Sequence, residues 1–193
     1  MAQSMLQQSH IHNLNELAST ITEWKTPHVL TGLVAHWPMV SAAMQGDEAL
    51  VNYLSQFDKG ATVDCLNLPH AADGRMFYND SMTGFNFTRS RLPFIAALNK
   101  MIELNQQRES DSLYVGSTSV ESCLPGLLND NAMPIDDLSP LATLWIGNKS
   151  RIAAHYDAPD NLICVTAGQR KVTLFPPEQV ENLYIGPFHF TPA

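Results

Sequence analysis

Four short apolar segments follow one another between residues 141 and 177, separated by little more than turn residues. They read LATLWIG, RIAAHYD, NLICVTAG and KVTLFPP, and Gly, Asn, Asp and Pro stand at or near their junctions. Segments this short and this closely spaced predict antiparallel strands, because a helix needs a longer periodic stretch. The last part of the chain is therefore predicted to form a β-sandwich or barrel.

Helical and extended patterns alternate in the residues before this region. Helices are predicted over 13–24, 46–56 and 90–110, and strands over 27–38, 61–68 and 112–117. Mixed α and β elements followed by dense β structure indicate an α+β chain. We predict a mixed N-terminal part over residues 1–110 and the first strands of a barrel over residues 111–193.

Charge and cysteine content disfavour several classes of protein. A net charge of −8 argues against nucleic acid as a general partner. The three cysteines form no CxxC pair, so neither a disulfide framework nor a structural zinc site is expected. No apolar run reaches the length of a membrane span, and the N-terminus lacks the pattern of a secretory signal. We therefore expect a cytoplasmic protein without a membrane partner.

His155 and Asp157 stand two positions apart, with Tyr156 between them, in the second apolar segment, RIAAHYD. Side chains alternate between the two faces of a strand, so this spacing projects both groups from one face. An imidazole and a carboxylate placed together can bind a divalent metal, and a third ligand completes a 2-His-1-carboxylate site. The same triplet also arises by chance as a His–Asp surface pair, so the surrounding sequence has to distinguish these interpretations.

The surrounding sequence resembles the cupin-like branch of the JmjC family of Fe(II)- and 2-oxoglutarate-dependent oxygenases. Within that family it is most similar to the asparaginyl hydroxylases that inhibit hypoxia-inducible factor. The resemblance rests on the order LWIG, HYD, N, G, LFPPEQ and LY over residues 144–184, supported upstream by HVLTGLVAHWP (28–38) and SLYVGS (112–117). It implies a helical N-terminal part followed by a double-stranded β-helix barrel. It also implies Fe(II), 2-oxoglutarate and O₂ as cofactor and co-substrates, and hydroxylation of a protein side chain.

The resemblance assigns roles near the metal to three residues. His155 and Asp157 match the first two iron ligands of the family. Asn161 matches a position whose amide contacts the co-substrate close to the metal. A structural interpretation of Asn161 stays open, because Pro159 and Asp160 beside it are themselves typical of a turn.

The distal carboxylate of 2-oxoglutarate requires a hydroxyl donor and a cation, and the resemblance provides candidates for both. Tyr114 matches the phenol, and the cation falls on Arg170 or its neighbour Lys171. Lysine is more usual in the family, although arginine can hold a carboxylate with two parallel hydrogen bonds. Tyr114 as a core aromatic and the two cations as a solvated hairpin end are the structural alternatives. Ile152 stands where the family commonly has Thr or Ser, so one expected contact is missing.

The family's second histidine ligand lies on a strand well downstream of the first. Beyond Asp157 the chain contains one histidine, His189, in a segment (GPFHFTPA) that resembles the loop before that strand. We therefore expect a chain truncated before the distal histidine, with an incomplete barrel, open strand edges and weak or no activity by itself. Helices that often dimerise such proteins would follow, so a homodimer is one expectation for the full-length protein.

Two other functions stay open at this point. One is a metal-dependent cupin enzyme that does not use 2-oxoglutarate. The His-x-Asp spacing argues against it, because such enzymes usually carry an H-x-H pair. The other is a non-catalytic cupin-like binding or interaction module, which a missing third ligand would favour.

Overall fold

The computed structural model describes residues 7–9, 16–135, 138, 140–187 and 191–192. Its main elements, in chain order, are β1 (Gln7–Ser9), α1 (Leu17–Glu23), β2 (His28–Leu30), α2 (Pro38–Gln45), α3 (Asp47–Ser55), β3 (Thr62–Leu68), β4 (Thr88–Pro93), α4 (Phe94–Asn105), β5 (Ser112–Ser119), α5 (Val120–Cys123) and β6 (Thr143–Gly147). Short 3-10 helices lie at His70–Ala72, Leu127–Asn129 and Pro177–Asn182. None of the helices described is long and apolar enough to cross a membrane.

An antiparallel sheet with the strand order β4-β3-β5-β6 forms the centre of the fold. β3 pairs with β4 on one side and with β5 on the other, so elements from both halves of the chain share one sheet. β5 and β6 pair with Tyr114 opposite Gly147, and a register shift follows between Val115 and Thr118. β1 and β2 form a separate two-stranded parallel pair.

The main hydrophobic core lies between this sheet and α4. Pro93 precedes the helix, and its apolar positions recur every three or four residues and are buried, at Phe94, Ala97, Leu98 and Met101. Other fully buried side chains in the same cluster come from the strands and from the segment after β5, namely Cys65, Leu113, Val115, Cys123, Leu124 and Leu127. Burying a side chain of this kind contributes roughly 1.5–3 kcal/mol.

The α+β class predicted from the sequence is confirmed, with helices dominating the first part and an antiparallel sheet at the centre. The predicted helix over 90–110 begins only at Phe94, because Thr88–Pro93 pairs with β3 as a strand. The strand predicted over 27–38 is confined to His28–Leu30. It ends there because the chain turns at Gly32, where φ is +73°, and because α2 begins at Pro38.

Three of the four strands predicted near the end of the chain are wrong. LATLWIG contains β6, but RIAAHYD, NLICVTAG and KVTLFPP form no strand. Their only ladder contact, among the residues described, is a single bridge between Arg151 and Arg75. An extended segment becomes a strand only when another backbone satisfies its N–H and C=O groups. No further strand lies beside these segments in the part of the chain that the structure describes, and most of their side chains are exposed.

Candidate metal and co-substrate site

The His155 and Asp157 side chains face each other across 3.9 Å, from Nε2 to Oδ1, and both are partly exposed. The His155 ring is oriented by its other nitrogen, which lies 2.8 Å from the Ala153 carbonyl oxygen. Because a carbonyl only accepts hydrogen bonds, Nδ1–H is the donor in this contact, and Nε2 is the ring nitrogen that faces Asp157. The sequence argument placed this pair on one face of a strand. In the structure these residues form no strand, and the local course of the backbone brings the two side chains together.

Asn161 supports the carboxylate from the other side. Its Nδ2 donates to Asp157 Oδ2 at 2.8 Å and approaches the Pro159 carbonyl oxygen at 3.5 Å. One carboxylate oxygen is thereby held in place while the other faces His155. In the structure Asn161 therefore supports Asp157, and it follows a bend at residues 158–159.

These groups fit a divalent metal in their chemistry. First-row divalent ions bind imidazole nitrogen and carboxylate oxygen at about 2.0–2.2 Å, so two atoms 3.9 Å apart have to move closer together to become neighbouring ligands of one ion. A histidine that donates its second ring nitrogen to a carbonyl is the usual arrangement for a metal-bound imidazole. Among the described residues, no group of three or more His, Cys, Asp or Glu side chains is arranged to hold a metal. His189 lies outside the described residues.

Tyr114 occupies a buried position on β5, in a small cluster with Leu68 and Met76. Ile152 packs against the same cluster, so the segment that leads to His155 passes beside Tyr114. Burial raises the pKa of the Tyr114 phenol above its ordinary value, while the positive charge of Arg170 acts in the opposite direction. The phenol is therefore protonated at neutral pH, and a guanidinium from a distant part of the chain is close enough to influence it.

The two candidate cations are placed differently with respect to Tyr114. Arg170 and Lys171 are both exposed. The charge that acts on Tyr114 is that of Arg170. Ile152, where the family commonly has a hydroxyl group, packs on the cluster that contains Tyr114.

Two glycines flank the Tyr114 ring, and sequence reasoning did not identify their role. A Cβ atom at Gly147 would lie 2.9 Å from Tyr114 Cδ2, and one at Gly116 would lie 2.9 Å from Tyr114 Cε1. Trp145 also borders the ring, with 6.4 Å between ring centroids. The sequence does contain a signal for this contact, since LYVGS and LWIG each have a glycine within an apolar strand pattern. A glycine in a strand often marks a place where another part of the protein approaches the backbone closely.

We expect Gly147→Ala to displace the Tyr114 ring and to lower the free energy of unfolding by about 1–3 kcal/mol, because the added methyl group overpacks the contact. Urea unfolding and the near-UV circular dichroism of tyrosine measure both effects. Gly60→Ala is the control, because Gly60 has φ +82° and open space around it. Alanine there strains the backbone but contacts nothing near the Tyr114 ring, so it should leave the tyrosine spectrum unchanged. Unchanged stability and spectrum in Gly147→Ala would contradict this placement of the ring.

Comparison with known proteins adds one family match. A family model described as a cupin-like domain matches residues 14–193. The match covers far more than half of the chain and includes every residue of the candidate site. No curated protein matches the chain.

Proposed function

The chain belongs to the cupin-like domain family, and from this membership we propose that it is an Fe(II)- and 2-oxoglutarate-dependent oxygenase. The family includes 2-oxoglutarate-dependent oxygenases, so an enzyme of this kind is compatible with the match. We further propose a protein side chain as the substrate, with hydroxylation as the reaction. That choice rests on the sequence resemblance to asparaginyl hydroxylases. A modified nucleoside or a small molecule is the less favoured substrate.

The observation that carries the proposal is the arrangement of His155, Asp157 and Asn161, in which His155 Nε2 faces Asp157 Oδ1 and Asn161 holds Asp157 Oδ2. Tyr114 and Arg170 are the groups that we propose for the far carboxylate of the co-substrate. A dicarboxylate such as 2-oxoglutarate needs a donor and a cation at the end that does not bind the metal. The protonated phenol supplies an O–H donor, and the guanidinium supplies a charge with paired N–H groups. Ile152 packs beside Tyr114, and the chain continues from there to His155.

The roles of the remaining residues follow from their contacts. His155 Nε2 and Asp157 Oδ1 would hold the iron, and Asn161 would orient the carboxylate through Asp157 Oδ2. When bound, Fe(II) supplies the oxidative decarboxylation of 2-oxoglutarate by O₂ and the hydroxylation that follows. The protein binds and orients the reactants, and the apolar surroundings of Tyr114 exclude water from the distal carboxylate.

Calorimetric titration tests this function, with Mn(II) in place of Fe(II) and N-oxalylglycine in place of 2-oxoglutarate. We expect the analogue to bind only when Mn(II) is present. Binding of Mn(II) without the analogue would instead indicate a cupin enzyme that does not use 2-oxoglutarate. If neither Mn(II) nor N-oxalylglycine binds, the result would indicate a non-catalytic module.

Arg170→Ala should weaken binding of N-oxalylglycine by about 10- to 100-fold, because a hydrogen bond to a charged group contributes about 1.5–3 kcal/mol. Lys171→Ala is the matched control, since it removes a neighbouring exposed cation, and it should change the affinity less than about 3-fold. Calorimetry in the presence of Mn(II) measures both. The reverse order of effects would transfer the role to Lys171.

A further inference from the structure

The turn at residues 73–76 is attached to the backbone that leads into the candidate metal site. Arg151 N–H donates to the Gly74 carbonyl oxygen at 2.7 Å, and Met76 N–H donates to the Arg151 carbonyl oxygen at 3.0 Å. Arg75 and Arg151 thereby form a parallel bridge. We name residues 73–76 the anchor turn. Among the described residues of 151–187, Arg151 is the only one in a β-bridge.

Gly74 allows the two backbones to approach this closely. Its φ is +71°, a conformation that other residues rarely adopt, and a Cβ atom there would lie 2.7 Å from the Lys149 carbonyl oxygen. That oxygen belongs to the backbone, so rotation of a side chain cannot relieve the contact. Any other residue at position 74 has to separate the anchor turn from the segment after β6.

The Asp73 side chain bridges the same two segments. Its carboxylate accepts a hydrogen bond from Lys149 Nζ and another, at 3.1 Å, from Arg151 Nη2. The hydrogen bond from Lys149 and the charge of that residue hold the pKa of the Asp73 carboxyl below its ordinary value. Exposed ion pairs contribute little to stability by themselves. Here the carboxylate joins both side chains of one short segment to the turn that also holds its backbone.

The two segments joined by this contact both pack against Tyr114. Met76, the last residue of the anchor turn, is buried beside Tyr114, and Ile152, directly after Arg151, packs on the same cluster. An extended chain spans at most about 3.3–3.6 Å per residue. His155 therefore has to lie within roughly 15 Å of the Arg151 attachment.

We propose that the anchor turn positions residues 151–157 relative to Tyr114, with Asp73 and Gly74 as positioning residues that do not themselves contact metal or co-substrate. The relevance of this placement to metal binding rests on the proposed function. The placement itself rests on the contacts of Gly74, Asp73 and Arg151.

Hydrogen exchange of the metal-free protein, read by mass spectrometry over residues 151–157, tests the placement directly. In this segment the Arg151 amide donates a backbone hydrogen bond, to Gly74, and we expect Gly74→Ala to accelerate exchange of that amide at least 10-fold. The same variant should weaken Mn(II) binding about 5- to 10-fold. Asp73→Ala should have a smaller effect in the same direction. Asp73→Asn should restore exchange to within about 2-fold of the original protein, because asparagine keeps an acceptor oxygen and tolerates the φ of +48° found at Asp73.

Asp64→Ala is the matched control. It removes another exposed ion pair, between Asp64 on β3 and Arg91 on β4. Neither residue belongs to the anchor turn or to residues 151–157. It should leave both exchange over 151–157 and Mn(II) affinity unchanged. If Gly74→Ala prevents folding, the Asp73→Ala and Asp73→Asn pair decides by the same measurement.

Unchanged exchange over 151–157 in the folded anchor-turn variants would overturn the proposal. The proposal would also be overturned if Asp64→Ala accelerated exchange as much as the anchor-turn variants do, because the effect would then be a general loss of stability. If the original protein binds no Mn(II), the proposed function fails, but the exchange measurement still decides whether the anchor turn holds the segment.

Discussion

Replacing His155 with alanine should lower the affinity of the protein for Mn(II) at least about 100-fold. In the proposed site His155 Nε2 and Asp157 Oδ1, 3.9 Å apart, are the two metal-binding atoms, and the His155 ring is oriented by the Ala153 carbonyl oxygen. Without it, Asp157 is the remaining ligand of the pair, and a single exposed carboxylate competes poorly with water for a divalent ion. Electron paramagnetic resonance of free Mn(II) during a titration measures the loss.

Two further variants separate metal ligation from indirect effects. Asn161→Ala should weaken Mn(II) binding less, by about 10-fold, because Asn161 acts through its hydrogen bond to Asp157 Oδ2. His36→Ala removes an exposed histidine elsewhere and should have no effect. Equal Mn(II) affinity in His155→Ala and in the original protein would show that any metal binds at another place.

Replacing Asn131 with alanine should lower the free energy of unfolding by about 3 kcal/mol. The Asn131 side chain is buried and joins three parts of the fold. Its Oδ1 accepts from Met39 N–H in the first turn of α2, 92 positions away, and its Nδ2 donates to the Tyr53 hydroxyl and to the Leu127 carbonyl oxygen, each at 2.9 Å. Alanine leaves these three groups without their partner inside the protein, and each such buried group costs about 1–3 kcal/mol.

Urea unfolding followed by tryptophan fluorescence measures the loss, with Asn105→Ala as the matched control. Asn105 is an exposed residue at the end of α4, and its replacement should change stability by no more than about 0.5 kcal/mol. Asn131→Asp should fall between the two, because aspartate keeps the acceptor for Met39 N–H but lacks both donors. An Asn131→Ala protein as stable as the control would contradict a structural role for this network.

The elements that sequence patterns predicted well are those whose burial follows local periodicity. The helix at 90–110 was predicted because apolar residues recur at helical spacing, and α4 buries those residues against the sheet. Its predicted start was early, because Thr88–Pro93 pairs with β3 through contacts such as Cys65 opposite Ser90. Local pattern does not report that pairing, since the partner lies elsewhere in the chain.

The wrong prediction of three strands near the end of the chain has the same physical cause. RIAAHYD, NLICVTAG and KVTLFPP carry the residue types of strands, but within the described residues they have no ladder beyond the Arg151–Arg75 bridge. Composition reports a preference for extended backbone, whereas strand formation depends on a neighbouring strand. The candidate site depended less on these strands, because most of its residues were assigned from the family resemblance and only the pairing of His155 with Asp157 was argued from strand geometry.

By itself, the sequence determined the α+β class and the approximate positions of α1, α3 and α4, because hydrophobic periodicity and turn chemistry are local properties, but it did not predict α2. Its His-x-Asp spacing marked His155 and Asp157 as candidates, and the family resemblance added Asn161, Tyr114 and the Arg170–Lys171 pair. Only the tertiary structure decided that Gly147 makes room for the Tyr114 ring and that Asp73 and Gly74 hold Arg151. These contacts join residues far apart in the chain, and their existence depends on which backbones lie side by side.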